Sequence, residues 1–249
     1  MRYCSYYKKY FLFTIFSFFL WLTPAISLDL NLKFEGVYEH ASQKIVVDGV
    51  SSSYGLGTVG IELNWDINQS LQLYGNYGLG YLPNYKLSAF GTNFSGPVNG
   101  ERIIIGTSYK LFDSYKHQFS FGYDLSEKNV TGNDFSGIRN GLALTVESTA
   151  EFMISEFSLG YEYRATDALI LGGKVGQENW NFTAMGLTLI NDITVSKAVN
   201  DTGHSPSYEL YTRIGREKPI DISLVIRSYS MDNLVETYEL KLAYPLYKS

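Results

Sequence analysis

The sequence predicts an all-β fold, a transmembrane antiparallel up-and-down β-barrel, and three observations carry that prediction. Residues 28–39 alternate without a break: Leu28, Leu30, Leu32, Phe34, Gly36 and Tyr38 share one face, and Asp29, Asn31, Lys33, Glu35, Val37 and Glu39 share the other. A strand has a side-chain period of two, so this segment has one apolar and one charged face. Similar alternating runs recur along the chain between polar turns, and an apolar export signal precedes the first of them. Strands of this kind in an exported chain suit a closed barrel with lipid outside and a wet or ion-paired interior.

The N-terminus reads as a signal peptide over 1–27. Arg2, Lys8 and Lys9 give a positive start, residues 10–22 are uncharged and apolar, and Ala25 and Ser27 offer the small residues of a cleavage site after Ser27. The apolar run is shorter than the ~20 residues of a spanning helix, and Pro24 interrupts its end. Cys4, the one cysteine of the chain, lies ahead of that run and leaves with it. Removing the three basic residues leaves 17 Lys+Arg against 25 Asp+Glu over 28–249, a formal net charge of −8. The acidic balance gives no support to nucleic-acid binding, and a cysteine-free exported chain is no disulfide scaffold. Past the signal there is no helix-length apolar stretch, so insertion has to be by strands.

Short polar turns at 66–70, 113–116, 164–167 and 216–219 join four hairpins. Val59, Ile61, Leu63 and Trp65 lead into the first, with Leu71, Leu73, Tyr77 and Leu79 leading away. Ile103, Ile105, Tyr109 and Leu111 precede the second, followed by Phe119, Phe121, Tyr123 and Leu125. Phe157, Leu159, Tyr161 and Tyr163 precede the third, followed by Leu169, Leu171 and Val175. Tyr208, Leu210 and Ile214 precede the fourth, followed by Ile222, Leu224 and Ile226. With a first and a last strand the count is ten, and eight and twelve are the alternatives. The connections between hairpins, about 41–53, 83–100, 127–150, 179–205 and 231–235, are mostly longer and more polar. Short periplasmic turns and long extracellular loops are the asymmetry of an outer-membrane barrel. The segment 138–163 is ambiguous, because Leu142, Leu144 and Val146 are in one phase and Phe157, Leu159 and Tyr161 in the other. Either one long strand carries a bulge near Phe152, or two strands meet at a turn near 148–150.

Tyr38, Tyr81 and Tyr123 fall near the loop ends of their strands, and Trp65, Phe112 and Tyr163 at the turn ends, as two interfacial aromatic girdles require. The turn motif at 160–169 and the closing alternation of Tyr238, Leu240, Leu242 and Tyr244 complete the pattern. Together these features resemble the small Gram-negative outer-membrane β-barrels of the opacity and outer-membrane protein A type, within the porin-like superfamily. The resemblance covers all of 28–249 and is architectural. It implies that Tyr238, Leu240, Leu242 and Tyr244 form the signal read by the barrel-assembly machinery. It also implies that the partners are outer-membrane lipid and lipopolysaccharide. The chain departs from the family by continuing five residues past Tyr244.

Sending the apolar phase to lipid sends the other phase inward. The basic residues there are Lys33, Arg102, Lys110, Lys174, Arg213, Arg227 and Lys241, and the acidic ones include Glu35, Glu62, Asp124, Glu156, Glu162, Glu178, Glu209 and Glu239. Buried charges persist when paired, and ten strands lie near the ~8 whose interior side chains fill. The expectation is a mostly sealed, salt-bridged lumen in a structural or surface-interaction protein that is no enzyme and takes no cofactor. A narrow passive channel for small solutes is the alternative, and an outer-membrane hydrolase a minor one.

Motifs with chemistry are few. Gly55, Gly57 and Gly60 match a dinucleotide-binding spacing, but a strand rather than a helix follows, which leaves close-packed barrel glycines as the reading. His40, His117 and His204 share no metal-ligand spacing. An omptin-type protease would carry Asp-x-Asp and Asp-x-His pairs on its rim; Asp201 and His204 are the nearest approach here. A lipid A deacylase would carry a His-x-Ser pair, of which His40 and Ser42 are the candidate. The connections at 83–100 and 179–205 hold more apolar residues than exposed loops need, including Tyr85, Leu87, Phe90 and Phe94, and Trp180, Phe182, Met185, Leu187 and Leu189. Either strands continue above the membrane and pack on one another, or these residues form a contact surface for a partner.

Overall fold

The computed structural model describes residues 29–41, 45–47, 50–52, 55–89, 92–190, 193–215, 219–230 and 234–248. The export signal, its cleavage site and Ser42 lie outside them. Twelve strands follow in order: β1 (Asp29–Ala41), β2 (Ile45–Val47), β3 (Val50–Ser52), β4 (Gly55–Asp66), β5 (Leu71–Ala89), β6 (Thr92–Asp113), β7 (His117–Arg139), β8 (Leu142–Thr166), β9 (Leu169–Ile190), β10 (Ile193–Ile214), β11 (Ile220–Ser230) and β12 (Leu234–Lys248). Ten of them close into an antiparallel ring, with β1 paired to both β4 and β12 and β5 paired to both β4 and β6. The ring matches the ten strands expected from the four hairpins. β2 and β3 form a small hairpin in the first connection, and β3 pairs with the upper end of β5.

The long connections are built mainly as strand. β5 and β6 pair up to Ala89 and Thr92, β7 and β8 up to Arg139 and Leu142, and β9 and β10 up to Ile190 and Ile193. Asn140 and Gly141 close the β7–β8 hairpin with φ of 52° and 79°. Both central residues of that two-residue turn have positive φ, which is why an Asn-Gly pair stands there.

The ambiguity at 138–163 resolves in a third way. β8 is one strand, paired to β9 in a single register from Thr145 to Arg164, with no bulge at Phe152 and no turn at 148–150. The nearest irregularity lies across on β7, between Gly132 and Phe135. Even-numbered residues of β8 face inward throughout; what changes along the strand is which side of the wall is apolar. Near the short turns the outside is apolar, with Leu159 56% exposed; near the long hairpins the inside is, with Val146 3% exposed.

The wall therefore has two tiers. On β6 the outward apolar residues run from Ile103 to Leu111. At ~3.4 Å per residue and a tilt of ~40° they cover about 20–25 Å, the height of a lipid-facing belt. Above Ile103 the outward residues of β6 are Glu101, Asn99, Pro97, Ser95 and Asn93, while Phe94 and Val98 turn inward. The upper interior holds two apolar clusters: Phe94, Val98, Phe135, Leu144 and Val146 in one, and Ile154, Trp180 and Tyr229 in the other. Tyr85 packs on the first, and Phe152 and Phe182 on the second. Of the apolar residues in the long connections, Tyr85, Phe94, Trp180 and Phe182 are thus core for strands that continue past the belt, Met185 is exposed, and the side chains of Leu87, Phe90 and Leu189 lie outside the described residues.

Candidate functional site: the ion-paired lumen and the upper wall

Inward positions in the belt are charged because β1, β4, β6 and β12 all place their polar phase inside. Lys241 Nζ lies 2.6 Å from Glu35 Oε2 and 3.0 Å from Glu62 Oε2. Lys33 Nζ lies 3.1 Å from Glu62 and 2.8 Å from Asp221, whose other oxygen accepts from Arg213 Nε at 2.8 Å. Arg102 donates to Glu35 through one Nη and to Glu239 through the other, the latter at 3.0 Å. Arg227 joins Glu239 at 3.2 Å to Glu178 at 2.5 Å, and Lys128 joins Glu39 to Glu239. Asn64 and Asn76 donate to Glu62 and Glu35 at 2.8 and 2.9 Å.

Six carboxylates and six cations from eight strands thus form one continuous, charge-balanced network. Glu35 is 1% exposed and Glu178 is fully buried, so the middle of this network is out of solvent, while Arg213 at its short-turn end is part-exposed. Charges leave water only when each finds a partner, and here each named ion has one or more. A void beside Arg102, with Val37, Thr58 and Lys128 among its walls, has room for about one water.

A second bank lines the β7–β10 side. Lys174 pairs with Glu209 at 3.1 Å and lies 5.7 Å above the Tyr211 ring. The other acids accept from hydroxyls: Asp124 from Tyr74, Glu156 from Ser207 at 2.5 Å, and Glu162 from Tyr211 at 2.9 Å. Tyr74 and Tyr211 reach them across glycines. Tyr74 lies over its cross-strand partner Gly106 and Tyr211 over Gly172, where an added Cβ would meet ring carbons at 2.5 and 2.3 Å. Lys110 is at the short-turn end, 3.7 Å from Asp113, which also accepts from Arg164 at 3.0 Å.

Two members of the main network, Lys128 and Asp221, escape the sequence reading, and a third, Glu39, is read on the charged face of 28–39 without being named among the lumen charges. Lys128 falls in the connection expected over 127–150, although it continues the phase of Asp124. Glu39 follows Glu35 in strict alternation, and Asp221 sits between the outward Ile220 and Ile222. Phase extended past the turns and belt would have found all three.

Tyr38, Tyr81 and Phe112 are exposed on the outer wall, and Trp65, Tyr123 and Tyr163 are half-buried there. At the short-turn end Phe119 packs on Tyr161 (4.8 Å between centroids) and His117 on Tyr163 (5.5 Å), while Tyr123 meets Phe157 at 4.5 Å. Tyr238, Leu240, Leu242 and Tyr244 line the outside of β12. The residues beyond Tyr244 stay in that strand: a register shift opposite Leu32 and Lys33 takes up the extra residue at Leu246, and pairing continues to Lys248.

Asp201 and His204 stand on opposite faces of β10, with His204 Nδ1 2.5 Å from Asn179 Oδ1. The side chains of His40 and Ser42 lie outside the described residues. Among the described residues no group of three His, Cys, Asp or Glu is placed to hold a metal ion. The Gly55, Gly57 and Gly60 motif is on β4, where Gly60 faces Gly78 so closely that a Cβ would lie 2.8 Å from the Gly78 Cα.

No family model and no curated protein matches the chain. Among solved structures it is similar to the outer membrane protease OmpT from Escherichia coli, with 9% identity over 90% of this chain and 96% of that one and a TM-score of 0.63. Matches also include the attachment invasion locus protein Ail of Yersinia pestis (10% identity, 88% and 98% covered, TM-score 0.33) and Neisserial surface protein A (14%, 87% and 95%, 0.35). At these identities the likeness to OmpT is one of fold, and the chain has the fold of an outer-membrane β-barrel.

Proposed function

We propose that this chain is an outer-membrane surface protein with a sealed barrel, whose working part is the polar upper wall held on the cell exterior. The observation that supports it best is the charge-balanced network across the bore, which leaves little room for solute. In this reading residues 1–27 are removed on export after Ser27. The outward stripe of Tyr238, Leu240, Leu242 and Tyr244 serves the barrel-assembly machinery, and the belt meets outer-membrane lipid and lipopolysaccharide. The hairpins over 83–100 and 179–205 offer the surface for a partner. No reaction is assigned.

The test is single-channel conductance of the refolded mature protein in a planar bilayer. A folded protein that stays silent is the expected result. Discrete steps that change when Arg102 or Glu62 is neutralised would replace this reading with the narrow channel. Hydrolytic activity lost on replacing His40 or His204 would replace it with the hydrolase.

A further inference from the structure

β10 is paired along its whole length on one side only. Its ladder with β9 runs from Ile193 to Ile214, but its ladder with β11 covers Ser207 to Ile214. Above Ser207, the fourteen residues 193–206 of β10 make no ladder pair on their second edge among the described residues, although β11 continues to Ser230 with Tyr229 packed on Trp180. The other rim of the upper wall differs, because β3 covers the top of β5.

Hydrogen-bond parity shows what this edge presents. Gly215 N–H donates to Ala168 C=O at 2.8 Å, so odd-numbered residues of β10 bond to β9 and even-numbered ones face the other way. Thr202 N–H fits that parity: it takes the Asp201 carboxylate at 2.8 Å rather than a β9 carbonyl. The next bonded pair with β11 would be Pro206 with Ser228, and proline has no N–H to give. The ladder stops there for that reason. Above it, Thr194, Ser196, Ala198, Asn200 and His204 direct backbone N–H and C=O groups to the open side and Thr202 its C=O alone, one position every ~6.8 Å.

We infer that this edge is a docking site for an extended polypeptide segment of a partner, added as an extra strand beside β10. It rests on the exterior placement proposed above. The even spacing of donors and acceptors is that of another strand and of no sugar or lipid headgroup. A second copy does not fit. β10 runs toward the short turns in every copy inserted the same way, so two such edges would meet parallel and crossed by about 80°, twice the usual tilt. The exposed neighbours Asn200, Thr202 and His204 call for polar outward side chains on the incoming strand. The inward side meets the apolar upper interior around Trp180 and Tyr229, which calls for apolar ones.

The experiment uses the folded barrel in nanodiscs and a synthetic peptide of about eight residues alternating threonine and leucine, with the same peptide N-methylated at alternate positions as control. Without peptide, the amides of Ala198, Asn200 and His204 should exchange with solvent much faster than those of Val199, Asp201 and Ser205. Peptide should slow the even set alone, and the methylated peptide should not. Asn200→Pro should insert normally and weaken peptide binding about tenfold, the loss of one or two hydrogen bonds. Val199→Pro, which removes a β9 bond, should impair folding. Even amides already as slow as odd ones, or equal binding of both peptides, would overturn the inference. Binding to the purified barrel but not to intact cells would overturn the exterior placement and leave the edge standing.

Discussion

At the scale of single residues, the lumen is organised around carboxylates that serve several cations. Glu239 holds Arg102 and Arg227 directly and has Lys128 at 3.7 Å. Glu239→Ala leaves those three cations buried with one partner fewer, which should cost about 3–5 kcal/mol, read as a lowered urea midpoint of the liposome-folded barrel. Lys174→Ala should cost less, because that side chain is more than a third exposed and its partner Glu209 is part-exposed. Glycine makes a sharper test. Gly172→Ala drives a Cβ into the Tyr211 ring and should destabilise by about 1–3 kcal/mol. Adding Tyr211→Ala should then cost much less than it does alone, and additive costs would show that the ring does not occupy that space. Alternation in the sequence exposed most of the lumen charges. The glycine and tyrosine pairs were not legible, because they join strands tens of residues apart through a register that only the closed ring sets.

At the scale of one element, β8 shows why periodicity located strands but not their environment. Period two assigns faces, and nothing in it says whether lipid or water lies outside. Leu144 and Val146 share the inward phase of Glu156 and Glu162, so an apolar-out rule applied to the whole strand demands a bulge that does not exist. The Asn140-Gly141 turn was the signal available: it marks a hairpin tip and with it a strand reaching to Leu142. The two halves of β8 should therefore respond oppositely to charge. Leu159→Arg places a guanidinium in the belt and should cost about 2–4 kcal/mol, with loss of the folded gel band in unboiled samples. Val146→Arg should keep that band, since the belt is intact, while opening the upper β7–β8 hairpin to protease. Loss of the folded band with both would mean that the upper core is needed for insertion.

For the whole molecule, the two tiers obey opposite solvent rules and share continuous strands. The lower tier turns apolar residues outward and lines its bore with ion pairs; the upper turns polar residues outward and fills its interior with Phe94, Phe135, Trp180 and Tyr229. The number of ring strands was readable from four short turns, which are local. The upper tier was not, because its core forms between hairpins whose contacts are distant in sequence. If each tier has its own source of stability, the lower one should not need the upper. Removing 129–151 and joining Lys128 to Phe152, which face each other across β7 and β8, through an Asn-Gly turn tests this. The cut takes Phe135, Leu144 and Val146 from the upper core and spares Lys128, Glu39 and Glu239 in the bore. The shortened chain should still give a folded band and stay silent in a planar bilayer. Its β5–β6 hairpin, with Phe94 and Val98 uncovered, should become protease-sensitive above Glu101. A shortened chain that no longer inserts would mean that the upper core organises the barrel, and one that inserts but conducts would mean that the upper tier, rather than the ion pairs, closes the bore.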